Sequence, residues 1–539
     1  MENINNQKPC VVQTAQGFSI SYNNHFLYSK YNPSKTILQT IQNLQLLPGT
    51  IILCNSPALP YGLEELYSKL PQSCIMVICE ADVELYNFEL ESLRKTLINH
   101  SDKVTFASIS ELNDLPLYLY KLSQRGEYKR VIRVDFSAAV SFHGEYYNQL
   151  YAACQNSVAT WWKNRLTLTK FGRKYSENFF SNLALLPQTS PLSSFIHKIK
   201  KPILVCGAGQ SLNQLLNDKN INFSQFYILC ADTALQPLLQ HGISPDGVFV
   251  EEAQAIISKA FIGAFNNIRV FAGLSSTRLL GHFIKAENLT FFTTQYTEAS
   301  FLSKLISTGL LPPSNKPFGS VGLTAVYYAL QFRQNENLPV FLTGLDFSYS
   351  SGITHANGSM AHTGRLSSSY RLSPVQNYTA SYNSTAIKFL DKGGKLFFST
   401  PTLKSYADLF NNLFTGIKNL YDIGNCGIPL AIPHKDLSFL YSDFNSTTTD
   451  NLSLSAFDKE KSVKINNYLA SEKEALLKLR DLLTGKIKLS EEARKIEIIK
   501  IAAGREYLFL HFPDGYRFEY NQSMLNRIRT EIDFFLKFI

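Results

Sequence analysis

Lys201-Pro-Ile-Leu-Val-Cys-Gly-Ala-Gly-Gln-Ser-Leu-Asn-Gln-Leu-Leu216 is the stretch of sequence that decides the fold. Its apolar run Ile203–Cys206 predicts a buried parallel strand, which stops at the turn Gly207-Ala-Gly209. Apolar residues at helical spacing begin at Leu212, and Ser211 is predicted as the N-cap of this helix. Two glycines let a ligand approach the backbone, and a helix N-terminus offers free amide donors. The stretch therefore predicts a strand, a turn and a helix that form either a phosphate site or a tight connection.

Strand-like and helix-like segments alternate on both sides of this stretch, which is typical of parallel βαβ units. After about residue 455 the pattern changes to helical periodicity alone. We therefore predict an α/β protein with two Rossmann-like parallel-sheet domains followed by a helical C-terminal domain. The predicted divisions are an N-terminal domain (1–150), a helical connector (151–200), a central domain (201–440) and the helical domain (441–539).

The composition is that of an ordinary globular protein, with 45% hydrophobic and 18% charged residues among 539. The net charge of +9 permits an anionic ligand but does not indicate nucleic acid, which we do not expect as a partner. The eight cysteines have no metal-type spacing and lie mostly in apolar runs, which favours a reducing compartment. The first ten residues are polar, and no apolar stretch reaches the length of a membrane span. We therefore expect a cytoplasmic protein without stable membrane insertion.

Polar residues collect where the predicted strands of the central domain end, which is where open α/β sheets bind their ligands. Asp232 and Thr233 follow one strand, and Asp232 either accepts hydrogen bonds from a ribose or base or caps the next helix. Glu251 ends the strand Gly247–Val250 and is a second candidate. Gly319-Ser320 opens a further helix and predicts a second anion site.

The last candidate segment follows the predicted strand Pro339–Thr343 and begins with Gly344 and Asp346. Its loop carries His355 and His362, and histidine suits general acid–base catalysis at neutral pH. A single histidine on a surface loop is usually inert. Two histidines near an acidic strand end make a catalytic role a reasonable alternative.

Taken in order, several of these motifs resemble the motility-associated factor (Maf) flagellin glycosyltransferases over about residues 10–435. The motifs are Gly207-Ala-Gly-Gln-Ser-Leu212, Ala231-Asp-Thr-Ala-Leu235, Gly319-Ser-Val321, Gly344-Leu-Asp346 and Thr354-His-Ala356. The resemblance implies an enzyme that transfers a nonulosonic acid of the pseudaminic or legionaminic type. The donor is its CMP-activated form, and the acceptor is a Ser or Thr hydroxyl of flagellin.

The central domain of that family is similar to the bacterial sialyltransferases, whose glycine turn holds the phosphate side of the donor. The nucleotide-binding residues implied here are Gly207, Gly209, Ser211, Leu212, Asp232, Thr233, Glu251, Gly319, Ser320 and Gly344. The catalytic candidates are His355, His362 and Asp346. His355 is the preferred base because it matches the family's Thr-His-Ala motif. No metal or other cofactor is expected beyond the CMP-activated donor. Gln210 and Glu251 depart from the proline and aspartate usual in the family, which leaves the identity of the donor open.

Two other functions remain open from the sequence. The same broad family includes proteins similar to pterin pyrophosphokinases, which use a related fold for diphosphate transfer, and fold analogy does not separate the two reactions. The third interpretation is a flagellin-binding protein without enzymatic activity that retains a degenerate sugar-nucleotide fold.

Overall fold

The computed structural model describes residues 8–71, 73–88, 93, 103–107, 118, 128–264, 268–312, 314–373, 384–442, 444 and 458–539. The chain divides into two compact units, Met1–Thr169 and Lys170–Ile539. In the part of the chain described, every helix is too short or too polar to cross a membrane.

The first unit contains a parallel sheet of the predicted kind. Its elements are β1 (Cys10–Thr14), β2 (Gly17–Tyr22), β3 (His25–Phe26), α1 (Lys35–Asn43), β4 (Thr50–Asn55), α2 (Leu63–Ser68), β5 (Ile75–Cys79), β6 (Val104–Phe106) and β7 (Arg130–Asp135). Strands β4 to β7 form a parallel sheet in the order β6-β5-β4-β7, while β1 to β3 form a small antiparallel sheet. Strands β4 and β5 are buried along their whole length, which accounts for the apolar runs Ile51–Cys54 and Ile75–Cys79, because both faces of a parallel sheet are covered.

One long helix, α3 (Gly144–Leu185), passes through most of the predicted connector 151–200 and crosses the boundary between the two compact units. Its last part belongs to the second unit, where Asn178 and Asn182 donate hydrogen bonds to carbonyl groups of Ala253, Leu274, Ser275 and Ser276. The four-domain division stays a prediction, because the chain forms two compact units that divide after residue 169, and this does not test the other boundaries.

The second unit is built on a larger sheet. Its remaining elements are β8 (Ile203–Cys206), α4 (Ser211–Asn217), β9 (Tyr227–Ala231), α5 (Leu235–Gln240), β10 (Gly247–Val250), β11 (Val270–Gly273), α6 (Leu280–Phe283), β12 (Leu289–Thr294), α7 (Ser300–Ser307), β13 (Ser314–Asn315), α8 (Val321–Phe332), β14 (Val340–Thr343), α9 (Met360–Ser368), β15 (Ile387–Leu390), β16 (Leu396–Ser399), α10 (Pro401–Phe414), β17 (Leu420–Asp422), α11 (Lys459–Leu483), α12 (Glu491–Ala502) and α13 (Gln522–Phe535). In the described residues eight strands pair in the order β13-β12-β11-β10-β9-β8-β14-β17, all of them parallel. The prediction of two parallel-sheet domains followed by helices is confirmed.

The order of the strands creates a switch point between β8 and β14. From β8 the chain adds β9 to β13 on one side, and it then returns through α8 to place β14 on the other side. Helix α8 packs its apolar side over the sheet in a core that includes Phe249, Phe271 and Phe332. In open α/β sheets, ligands bind outside the carboxyl ends of the strands at such a switch point.

The helices after residue 458 pack on one another around a buried polar group. Glu472 on α11 accepts a hydrogen bond from the Tyr507 hydroxyl at 2.6 Å and forms an ion pair with Arg505 at 2.9 Å. Both partners lie in the segment that joins α12 to α13, so this carboxylate fixes the connection against α11.

Candidate functional site

A cleft of about 510 Å³ opens at the switch point between β8 and β14. It is lined by residues from the turn after β8, the end of β9, the start of α8, the segment after β14, α9 and the start of α10. These residues are Gly207, Ala208, Gly209, Ala231, Asp232, Thr233, Ser320, Val321, Gly322, Gly344, Leu345, Asp346, Phe347, Ser348, Tyr349, Thr354, His355, Arg365, Thr400 and Leu403.

The N-terminus of α4 is already occupied by a carboxylate of the protein itself. The Asp346 carboxylate accepts hydrogen bonds from the Ser211 amide at 2.9 Å and from the Ser211 hydroxyl. Ser211 in turn accepts a hydrogen bond from the amide of Gly344 at 2.8 Å. The prediction of Ser211 as N-cap is wrong, because Gln210 holds that position and Ser211 is the first helical residue. Ser211 and Leu212 are buried and do not line the cleft, so neither side chain faces a ligand there.

Glycines allow the turn after β8 and the turn after β14 to approach each other closely. A Cβ at Gly207 would lie 2.3 Å from the carbonyl oxygen of Gly344, and a Cβ at Gly209 would lie 2.5 Å from a carboxylate oxygen of Asp346. The amide of Gly209 also donates to the Gly344 carbonyl at 2.8 Å. These glycines are therefore required by the packing of the β8 and β14 turns. A side chain at Gly209 would disturb the fold as well as the cleft.

The N-terminus of α8, by contrast, opens into the cleft. Gly319 has a φ of 72°, Ser320 precedes the helix in an extended conformation, and the Ser320 side chain makes no capping hydrogen bond. Ser320, Val321 and Gly322 all line the cleft. The first amides of a helix have no partner within it, so this twelve-residue helix presents unpaired donors and a partial positive charge to an anion.

Asp232 lies at the end of β9 and lines the cleft with Thr233. One carboxylate oxygen of Asp232 accepts hydrogen bonds from the amide of Thr233 at 2.6 Å and from its hydroxyl at 2.9 Å. Burial, with a smaller effect of the neighbouring carboxylates Glu252 and Glu251, raises the pKa of Asp232 from 3.8 to about 6, although the hydrogen bonds from Thr233 oppose this shift. The alternative that Asp232 caps the next helix is wrong, because Ala234 holds the N-cap position of α5, and the Asp232 carboxylate lies beside the cleft.

Glu251 does not line the cleft, although it lies at the end of β10 as predicted. Its two carboxylate oxygens accept hydrogen bonds from Thr294 at 2.9 Å and from Thr324 at 2.7 Å. Burial raises its pKa. The carboxylate joins the end of β12 to α8, which is a structural task.

The two histidines have different surroundings. His355 lines the cleft, and its Nδ1 lies 3.0 Å from the Thr354 hydroxyl. Burial lowers the pKa of His355, and the positive charge of Arg365 lowers it further, so the imidazole is neutral near pH 7. His362 lies in the first turn of α9 outside the cleft lining, and its Nδ1 accepts a hydrogen bond from the amide of Gly358 at 3.2 Å.

Two of the cleft residues that the sequence analysis did not select carry polar atoms without a partner among the described residues. The Arg365 Nη1 atom and the Ser348 hydroxyl are both buried, and neither has a hydrogen-bond partner among the described residues. The spacing of Arg365, three residues after His362, would not have identified it, because His362 lies outside the cleft lining. Among the described residues, no group of three or more His, Cys, Asp or Glu side chains is arranged to hold a metal. The expectation of no metal and no other cofactor stays a prediction.

Comparisons with known proteins give a family and a fold. The profile of the family described as "6-hydroxymethylpterin diphosphokinase MptE-like" matches residues 177–352. An uncharacterized protein of Treponema pallidum (strain Nichols) is 30% identical over 98% of this chain and 95% of its own length. The structure of a Maf glycosyltransferase from Magnetospirillum magneticum AMB-1 superposes with a TM-score of 0.56 at 12% identity, covering 98% of this chain and 87% of that one. The chain therefore belongs to the same family as the Treponema pallidum protein, and its resemblance to the Maf glycosyltransferases is confirmed in the fold.

Proposed function

We propose that this protein is a glycosyltransferase that moves a nonulosonic acid from a CMP-activated donor to a Ser or Thr hydroxyl of flagellin. The observation that carries the proposal is the position of His355 in the same cleft as the open N-terminus of α8. A neutral base and an anion-binding helix terminus are the two groups that such a transfer needs. The identity of donor and acceptor rests on the sequence motifs that resemble the Maf family.

The chemistry follows from these groups. The acceptor oxygen attacks the anomeric carbon of the donor sugar, and the bond from that carbon to the phosphate oxygen breaks. CMP leaves with the bonding electron pair, and the first amides of α8 stabilise the negative charge that develops on its phosphate. His355 takes the proton of the acceptor hydroxyl, which its lowered pKa allows because the imidazole starts neutral.

Asp232 supports the binding of the nucleoside. Its carboxylate lies at the end of β9, where a ribose hydroxyl that enters the cleft would find an acceptor. This is the position at which α/β nucleotide folds commonly place an acidic residue.

The test is transfer from a CMP-activated nonulosonic acid to purified flagellin, measured by intact mass. His355→Ala is expected to lower turnover by about 10²- to 10⁴-fold, the usual range for loss of a general base, with little change in CMP affinity. His362→Ala is the matched control and should be milder, since its ring bonds the backbone of Gly358. If His355→Ala transfers sugar at the normal rate, the base is another group, and if both variants stay fully active, histidine catalysis is excluded.

A diphosphokinase acting on a pterin is the second candidate, favoured by the family profile that matches residues 177–352. Incubation of the protein with ATP and 6-hydroxymethylpterin, analysed for a diphosphorylated pterin, tests it directly. Product in that assay, together with no transfer from the CMP-activated sugar, would replace the glycosyltransferase proposal.

The third interpretation, a flagellin-binding protein without activity, predicts no CMP binding. Calorimetric titration of the full chain with CMP separates it from the glycosyltransferase, and titration with ATP separates it from the diphosphokinase.

A further inference from the structure

We infer that Arg365 and Ser348 form a subsite for an anionic group of the substrate, separate from the N-terminus of α8. The inference rests on the proposed function for the identity of the substrate, and on the geometry alone for the presence of the subsite. Both residues line the cleft, and both carry a buried donor that no described group satisfies.

Arg365 projects from α9, near the base proposed above. The α9 helix begins after the Ser359 N-cap, and Arg365 lies in its last turn. Its Nη1 atom is buried without a hydrogen-bond partner, and no ion pair neutralises its guanidinium within the described chain. A guanidinium has five donors arranged for planar oxyanions such as phosphate and carboxylate. The side chain is therefore ready to receive an oxyanion.

Ser348 supplies the second donor from the segment that follows β14. It follows β14 by five residues, is only 6% exposed, and has a hydroxyl without a partner among the described residues. An unsatisfied buried hydroxyl costs free energy, so native proteins rarely keep one unless a ligand or water completes it. Its neighbours Phe347 and Tyr349 are buried and make the surroundings of any bound charge less polar.

Two anion-binding elements in one cleft fit a donor with two anionic groups. A CMP-activated nonulosonic acid carries a phosphate and a sugar carboxylate, whereas CMP carries the phosphate alone. Arg365 can bind either the phosphate or the sugar carboxylate, since both are oxyanions. Comparing CMP, which has only the phosphate, with the CMP-activated sugar, which has both groups, separates these two possibilities.

The experiment measures the binding of four probes to the full-length protein: cytidine, CMP, a CMP-activated nonulosonic acid and inorganic pyrophosphate. Arg365→Gln is expected to lower the affinity for the charged probe that uses this subsite by about tenfold to a hundredfold and to leave the affinity for cytidine unchanged. Arg365→Lys should recover part of this loss, since it keeps the charge but not the planar group. Ser348→Ala should weaken the same probe by a smaller factor.

Arg371→Gln is the matched control, because Arg371 is an exposed arginine just after the same helix. If Arg365 binds the phosphate, Arg365→Gln weakens CMP, and if it binds the carboxylate, only the CMP-activated sugar loses affinity. Equal effects of the two arginine variants, or no effect of either, overturn the subsite. Binding of pyrophosphate that depends on Arg365 without any binding of CMP would keep the subsite and refute the proposed function. Failure of the wild-type protein to bind any of the charged probes refutes both.

Discussion

Removal of the Asp346 carboxylate tests whether this residue holds the fold of the site or takes part in the chemistry. Asp346 is a catalytic candidate by sequence, yet both of its oxygens bond Ser211. In Asp346→Ala, the buried Ser211 amide loses its acceptor, which costs about 1 to 3 kcal/mol. Loss of the acceptor of the Ser211 hydroxyl adds about 1 kcal/mol, so the start of α4 should be destabilised by about 2 to 4 kcal/mol.

The assay is hydrogen exchange of the full chain followed by mass spectrometry. A local destabilisation of 2 to 4 kcal/mol corresponds to exchange that is faster by about thirtyfold to several hundredfold at amides of residues 203–217. Peptides from Lys459–Leu483 serve as the internal reference and should exchange as in the wild type. Intrinsic fluorescence would miss the effect, because both tryptophans, Trp161 and Trp162, belong to the first compact unit.

Asp346→Asn is the control of matched shape. The amide oxygen can still accept from the Ser211 amide. Burial raises the pKa of Asp346, and the neutral amide avoids the cost of a buried charge, so the loss should be about 1 kcal/mol or less. Normal exchange in Asp346→Ala would refute the structural role. Loss of transfer in Asp346→Asn with unchanged exchange and unchanged CMP affinity would return Asp346 to the reaction.

Three further predictions concern other parts of the second unit. Burial raises the pKa of Asp232 from 3.8 to about 6, so its contribution to stability is complete below pH 4 and is lost as the pH rises through 6. The free energy of unfolding measured in urea should therefore decrease over this pH range by at most about 3 kcal/mol, and Asp232→Asn should not show this decrease. Gly319→Ala should lower CMP affinity by displacing the first turn of α8, since a Cβ there meets an aromatic ring at 2.8 Å, whereas Gly309→Ala, at a similar φ of 71° in open space, should not. Glu472→Ala should destabilise the C-terminal helices by about 3 to 5 kcal/mol in urea unfolding followed by circular dichroism, and the exposed Glu460→Ala on the same helix by less than about 0.5 kcal/mol.

The fold was predictable where burial alone dictates the sequence. Strands β8 and β10 begin and end at the predicted residues, because a strand covered on both faces must be an unbroken apolar run. The 25-residue helix α11 lies where helical periodicity was predicted after about residue 455, because its buried residues recur at helical spacing. The hairpin of β15 and β16 was missed although Asp391-Lys-Gly-Gly394 is a turn signal, because each flanking strand is only four residues long.

The site was predictable at the level of strand ends and not at the level of contacts. The glycine turn, Asp232 and His355 all lie at the cleft, since the topology brings the carboxyl ends of β8, β9 and β14 together. Which helix N-terminus stays open depends on a contact between Ser211 and Asp346 that are 135 residues apart. No local pattern carries that information. The sequence therefore indicated anion sites at the N-termini of both α4 and α8, whereas in the structure the N-terminus of α4 already binds Asp346.

Under the proposed function, the residues that decide the reaction lie in the chain after residue 352. Helix α8 lies within residues 177–352, the part that matches the diphosphokinase-like family, and its open N-terminus is suited to an anion. His355 and Arg365 lie beyond that part, in the loop after β14 and in α9. A base and a second oxyanion donor added to a shared phosphate site suit a donor with a carboxylate and an acceptor with a hydroxyl. Exchange of residues 353–368 for an unrelated loop should therefore abolish glycosyl transfer while CMP still binds at α8, and loss of CMP binding in the same protein would mean that the segment serves nucleotide recognition instead.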